Sequence, residues 1–282
     1  MAELKYFQVE IDGPIIIWKF HNPPKNLLNL ETNAELMELV EAFDKNPELR
    51  VAIITSATPG MFIQHFDVSI LLELGRGLSR LSREDATQQL AQLPPPPRGL
   101  SGYTSKPIIC AINGPVSGGG SEMALGCDFR FISRDAFMAQ PEVYAGFPPG
   151  GGGTQRLARL LGSAKALELC LTGRRIYAVE AERLGLVTKA CDPKELMPVV
   201  LAFARELAAK SMVGVANIKK CIYEGLDMTL QEGLNRERRL FVESLMDPES
   251  LELMRLYVET GQDREVFETL SERLKAGEKE KQ

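Results

Sequence analysis

The sequence predicts an α/β fold: a layered core of sheet and helix over residues 1–190, followed by an all-helical region over residues 191–282. Three observations lead there. The segments Ile15 to Trp18 and Val51 to Ser56 are short, β-rich and apolar without interruption, as strands covered on both faces are. Between them Leu36, Val40 and Phe43 recur at helical spacing. Beyond about residue 190 strand-like runs cease and capped helical segments take over.

The elements follow in order. Phe7, Val9 and Ile11 alternate ahead of Asp12-Gly13, so residues 4–20 read as a hairpin. The prolines of the 21–26 segment break it, and a helix runs from about Glu31 to Asp44, stopped by Asn46-Pro47. Residues 61–74 begin as a loop and turn helical after Asp67. Residues 75–105, with glycines and four consecutive prolines at 94–97, read as an irregular surface loop or, more sharply, as a lid over a substrate. An apolar run from Lys106, the triplet Gly118-Gly119-Gly120, a short helix, a second apolar run and the Gly150 to Gly153 loop come next. Helices are expected over Gln155 to Leu161, closed by Gly162, and over Ala164 to Leu171, capped by Ser163 and closed by Gly173. Asp192-Pro193-Lys194-Glu195 and Asp247-Pro248 open further helices, and the charged end is a solvated tail. No internal repeat is visible.

Composition narrows the function classes. A formal net charge of −5 gives no support for general nucleic-acid or membrane-surface binding. The apolar runs are too short to span a bilayer, and the N-terminus carries no signal-peptide pattern. Five cysteines without a C-x-x-C favour a reducing compartment, by default the cytoplasm, with an organelle matrix open if an import sequence was removed. Neither glycine cluster is followed by the G-K-[ST] of a P-loop. Met123 stands where a dinucleotide fingerprint needs glycine, and Pro115 where a serine nucleophile elbow does. His21 and His65 are the only histidines and have no ligand-spaced partner, so no metal site is expected.

What remains is a strand, a glycine loop and a helix N-terminus. Its unpaired N–H groups suit an oxygen gaining negative charge. Taken alone, the triplet reads as tight strand-to-helix packing. Glu122 and Glu142 add a second possibility. Each is by itself an ordinary helix-start or loop carboxylate. Sharing a desolvated pocket, one could hold a proton while the other stays ionised, as acid–base work on a water requires.

The ordered motifs resemble the crotonase superfamily, that of enoyl-CoA hydratase and isomerase. They are NPPKNLLN at 22–29, RVAIIT at 50–55, MFIQHFDV at 61–68, KPIICAINGPVSGGGSEMALGCDFRFIS at 106–133, QPEVYAGFPPGGGGTQRL at 140–157 and RRIYAVEAERLGLV at 174–187. The resemblance implies a spiral of ββα units followed by a C-terminal helical trimerisation region, hence a homotrimer or a hexamer built as a dimer of trimers. It implies an acyl-CoA substrate, with coenzyme A as part of the substrate and no other cofactor. Glu122 and Glu142 match the acid–base pair that adds water across an enoyl double bond. Phe66 and Gly119 match the backbone donors to the thioester oxygen. Leu27, His65, Asp67, Val68, Gly118 and Gly150 match substrate-binding positions. Keeping both glutamates points to hydration. The alternatives are another reaction of the superfamily, isomerisation or carbon–carbon cleavage, and a CoA-binding scaffold without catalysis. Two departures stand out. Gln64-His65-Phe66-Asp67 replaces the usual A-G-A-D loop, which narrows or reshapes the acyl pocket or gives His65 a catalytic or substrate-orienting part; the plainer and favoured reading of His65 is an orienting hydrogen bond or simple packing. LYVETGQDREVFETL departs from the usual C-terminal segment.

Overall fold

The computed structural model describes residues 4–91 and 99–267. The chain forms two compact units, residues 1–202 and 203–282.

The first unit is built on a six-stranded sheet. β1 (Phe7–Asp12) pairs antiparallel with β2 (Ile15–Phe20), and Gly13 turns the hairpin at φ +56°. β3 (Val51–Ser56), β4 (Ile108–Ile112), β6 (Phe129–Ser133) and β9 (Lys189–Cys191) continue the sheet in parallel, in the order β1-β2-β3-β4-β6-β9. β3 and β4 are buried at every position, which is why their sequences do not alternate. α1 (Leu30–Lys45) lays Leu36, Leu39, Val40 and Phe43 into the core, and the Phe43 ring meets Trp18 edge-on at 5.7 Å. Asn29 and Thr32 form its capping box.

A three-stranded sheet sits beside this one: β5 (Val116–Ser117), β7 (Phe137–Ala139) and β8 (Ile176–Tyr177). The chain therefore repeats one move. A strand in the large sheet is followed by an extended segment outside it and then by a helix. β4 leads to β5 and α4 (Gly118–Leu125). β6 leads to β7, a 3-10 turn (Glu142–Ala145) and α5 (Gly153–Leu161). β3 leads to an extended segment through Phe66 and then α2 (Val68–Leu78). This is the spiral of ββα units that the resemblance implies.

Residues 75–105 differ from the irregular loop expected of them. α2 continues to Leu78, and α3 (Arg83–Ala91) follows. The helix-forming Arg83–Ala91 stretch holds neither glycine nor proline, which permits this. The four prolines, the middle of the stretch read as a loop or lid, lie outside the described residues, as does the charged tail. α6 (Ser163–Thr172) begins one residue earlier than expected, so Gly162 takes the cap and Ser163 lies inside the helix. α7 (Ala178–Arg183) returns the chain to β9, and α8 (Leu196–Ala208) follows.

The second unit is helical. α9 (Met212–Gly225) starts at a Ser211 cap, α10 (Leu230–Leu245) at a Thr229–Glu232 capping box, and α11 (Pro248–Glu259) at Asp247 with proline in its first turn. Asn217 of α9 donates to the Ser244 hydroxyl of α10 at 2.8 Å. Among the described residues no helix is long and apolar enough to cross a membrane.

Candidate active site

The site gathers at the edge where the ββα turns stack. The extended segment after β3 is tied on both sides by its own backbone. Gln64 N–H donates to Asn26 at 3.0 Å, Leu28 N–H to the His65 carbonyl at 2.8 Å, Asp67 N–H to Leu28 at 2.7 Å, and Ser117 N–H to the Gln64 carbonyl at 2.9 Å. These bonds fix the peptide plane between His65 and Phe66. Among the described residues the Phe66 N–H itself has no acceptor. Gly119, in the first turn of α4, lies against it: a Cβ there would stand 3.1 Å from the Phe66 nitrogen and 3.0 Å from its Cβ. Its own N–H is one of the unpaired donors of a helix start. Two free donors thus sit side by side over a helix N-terminus.

The carboxylates flank them. Glu122 is buried on α4, and its Oε1 accepts from the N–H groups of Gly151 at 2.7 Å and Gly153 at 2.8 Å. Among the described residues Oε2 has no such partner. Glu142 is buried at the start of the 3-10 turn. Its Oε1 lies 3.1 Å from where a Gly118 Cβ would be, a tight approach, and Gly118 adopts φ +50°, which favours glycine there. Burial pushes the Glu142 carboxyl up to about 7; a main-chain hydrogen bond opposes the shift and the Glu122 charge adds to it. With its amide turned to donate, Gln140 reaches both Glu142 oxygens at 3.1 and 3.2 Å. The two carboxyls therefore differ in setting. One is held by two backbone donors; the other is desolvated and near neutral pKa.

The remaining predicted positions fall as follows. The His65 Cβ is 3.4 Å from the same Gly118 position, across from Glu142, and its ring Nδ1 is 2.8 Å from the Phe66 carbonyl, so Nδ1 carries the proton. Phe66 is half-buried and its side chain packs on the core. Leu27 is half-buried, and its carbonyl accepts from the Asn22 side chain at 2.8 Å. Asp67 caps α2, and the Ser69 hydroxyl and N–H hold its carboxyl below the usual range. Val68 is exposed, and a side chain at Gly150 would face open space. Sequence reasoning passed over Gln140, Gly151 and Gly153. The only signal for them was the unusual run of four glycines and the glutamine two places before Glu142.

Taken together, the site sets two buried carboxyls in unlike environments beside the backbone N–H groups of Phe66 and Gly119. Comparison with known proteins agrees in kind. A family model described as "Enoyl-CoA hydratase/isomerase" matches residues 10–265. The short-chain-enoyl-CoA hydratase of Clostridium acetobutylicum is 32% identical over 262 residues, covering 91% of this chain and 96% of that one. A probable mitochondrial enoyl-CoA hydratase of Dictyostelium discoideum is 43% identical over 154 residues, and the match spans only 55% of this chain and 56% of that protein. A solved enoyl-CoA hydratase subunit of Geobacillus kaustophilus superimposes with a TM-score of 0.80 at 30% identity, covering 92% of this chain and 97% of that one. The chain belongs to the enoyl-CoA hydratase/isomerase family.

Proposed function

We propose that this protein is a hydro-lyase that adds water to an α,β-unsaturated enoyl-CoA and yields the 3-hydroxyacyl-CoA. The observation that carries the reading is the unlike pair Glu122 and Glu142 on either side of the Gly118-Gly119 turn, next to the N–H groups of Phe66 and Gly119. The thioester oxygen accepts from those two donors, which stabilise the enolate as it forms; one such donor is worth about 3 kcal/mol of barrier. Glu122 takes a proton from the water as its oxygen bonds to C3. The electron pair of the double bond moves toward the carbonyl, and Glu142 delivers its proton to C2. Proton exchange between the carboxyls and solvent resets the pair. Coenzyme A enters as part of the substrate, and no step calls for a further cofactor.

The test follows loss of the conjugated thioester absorbance with short, medium and aromatic enoyl-CoAs, with product mass recorded. Hydration adds one water; an unchanged mass would identify an isomerase instead, and folded protein with no turnover on any of them would sink the hydratase reading. A second expectation concerns pH. Glu142 donates in its protonated form, so kcat/KM for hydration falls as pH rises through about 7. A profile level from about pH 6 to about pH 8.5 would remove Glu142 from the acid role.

The same reading extends to assembly as a homotrimer or hexamer. Leu167, Leu171 and Val179 in the first unit are 57, 66 and 60% exposed, and Leu230 and Phe241 in the second are exposed too. Large apolar side chains in such number support burial against further copies. Five free cysteines support a reducing compartment, cytoplasm or organelle matrix.

A further inference from the structure

Three consecutive glycines of the 150–153 loop each face a polar side chain, and Gly153 faces the Pro149 ring as well. A Cβ at Gly151 would lie 2.7 Å from Glu122 Oε2, and one at Gly153 would lie 2.6 Å from the Gln140 amide. Those neighbours belong to the acid–base pair, Glu122 being one member and Gln140 the partner of the other. The middle glycine, Gly152, faces Arg156. A Cβ there would lie 2.6, 2.8 and 3.0 Å from Nη1, Cζ and Nη2, so the guanidinium lies face-on over the glycine. Gly152 also adopts φ +99°.

Arg156 sits in the first turn of α5. Its Nη1 donates to the main-chain oxygen of Gly151 at 2.6 Å and to that of Glu122 at 3.2 Å. One oxygen belongs to the glycine loop and the other to α4. The loop in turn gives its Gly151 and Gly153 N–H groups to the Glu122 carboxylate. A closed ring results: Glu122 main chain, guanidinium, Gly151 main chain, Gly151 N–H, Glu122 carboxylate. Bonds from a charged donor are roughly twice as strong as neutral ones. A planar guanidinium can cover Gly152 and reach both carbonyls; the point charge of a lysine cannot do both.

We propose that Arg156 is a positioning residue for the acid–base step. It docks the glycine loop onto α4 so that two backbone donors hold Glu122 Oε1 and leave Oε2 for the water. It never touches substrate. This rests on the reading of Glu122 as the general base, and the experiment separates the two.

Purified full-length protein and its Arg156→Ala and Arg156→Lys variants are compared with the enoyl-CoA that the unchanged protein turns over best. Arg156→Ala lowers kcat by about 100-fold, the cost of a reacting group misplaced by about 1 Å, while KM stays within about three-fold. Added guanidinium ion raises the kcat of the alanine variant at least about ten-fold and leaves the unchanged protein unaffected, whereas Arg156→Lys remains impaired. Amide exchange at Gly151 and Gly153 speeds up in both variants, a readout that needs no substrate. Exchange at these two amides equal to that of the unchanged protein overturns the proposal even if no enoyl-CoA is ever turned over. So does a loss of kcat with a matching rise in KM and no guanidinium rescue, which is what general destabilisation gives. Should the alanine variant not fold, the lysine variant carries the exchange and kinetic tests alone.

Discussion

Glu122→Gln and Glu142→Gln each lower kcat for hydration by about 100- to 10,000-fold, the range that positioned proton transfer contributes. Both substitutions keep size and shape, so the loss is chemical. At position 122 the amide oxygen still accepts the Gly151 and Gly153 N–H bonds, but the group can no longer take a proton from water. At position 142 the carboxyl with a pKa of about 7 is replaced by a group with no proton to give at that pH. The double variant loses far less than the product of the single losses, because the two groups act as a unit in one addition, Glu122 on the water and Glu142 on C2. Initial rates under saturating enoyl-CoA, with circular dichroism showing each variant folded, provide the check. Normal turnover in either single variant refutes its assigned role.

Gly120→Ala is the most damaging small substitution expected for the fold. A Cβ there would stand far inside van der Waals contact distance of the Ile63 carbonyl oxygen, with the carbonyl carbon and Val116 Cγ2 each 3.0 Å away. Ile63 is fully buried and Val116 nearly so, and the obstructing atoms are backbone and a branched methyl. None can swing aside, so α4 must lift from the extended segment that carries Phe66. Overpacking of this kind costs about 3 kcal/mol, which lowers Tm by roughly 5 °C in a chain of this size. Activity falls with it, since the approach of Gly119 to Phe66 depends on the same contact. Gly150→Ala, facing open space, is the control and leaves Tm within about 1 °C. Differential scanning fluorimetry of the two variants decides it, and equal Tm values would show that α4 accommodates the methyl.

Much of the fold and of the site is legible in the sequence. Val51–Ser56 and Ile108–Ile112 announce themselves because a strand covered on both faces has no polar positions to interrupt it. Glu122 and Glu142 stood out through their glycine-rich, apolar surroundings. The small sheet did not, since Val116–Ser117 and Ile176–Tyr177 are two residues each and no period exists over two residues. Nor did the repeat, because what recurs along the spiral is a direction of travel and not a pattern of residues. The partners of Glu122 lie 29 and 31 positions away in a loop, and such a meeting leaves no local trace. Burial of Glu142 likewise depends on side chains that only the fold assembles. In 75–105 the glycines and prolines at its ends masked the ordinary helix between them.

The parallel pairing of β3 with β4 has a consequence for how such a protein changes over time. Ala52 faces Ile108 and Ile54 faces Cys110, so the chain leaves the sheet and rejoins it at neighbouring strands after a long excursion. The two strands and the main-chain bond from Ser117 to Gln64, not the excursion, set the distance between Phe66 and Gly119, which lie ten and seven residues beyond the ends of β3 and β4. The mostly exposed residues 79–89 can then change composition without disturbing those donors and carboxylates, whereas Gly99 and Leu100, packed on Gly126 at the end of α4, cannot. The chain keeps the strands that set these groups apart from a surface excursion, and the excursion can drift while the strands stand still.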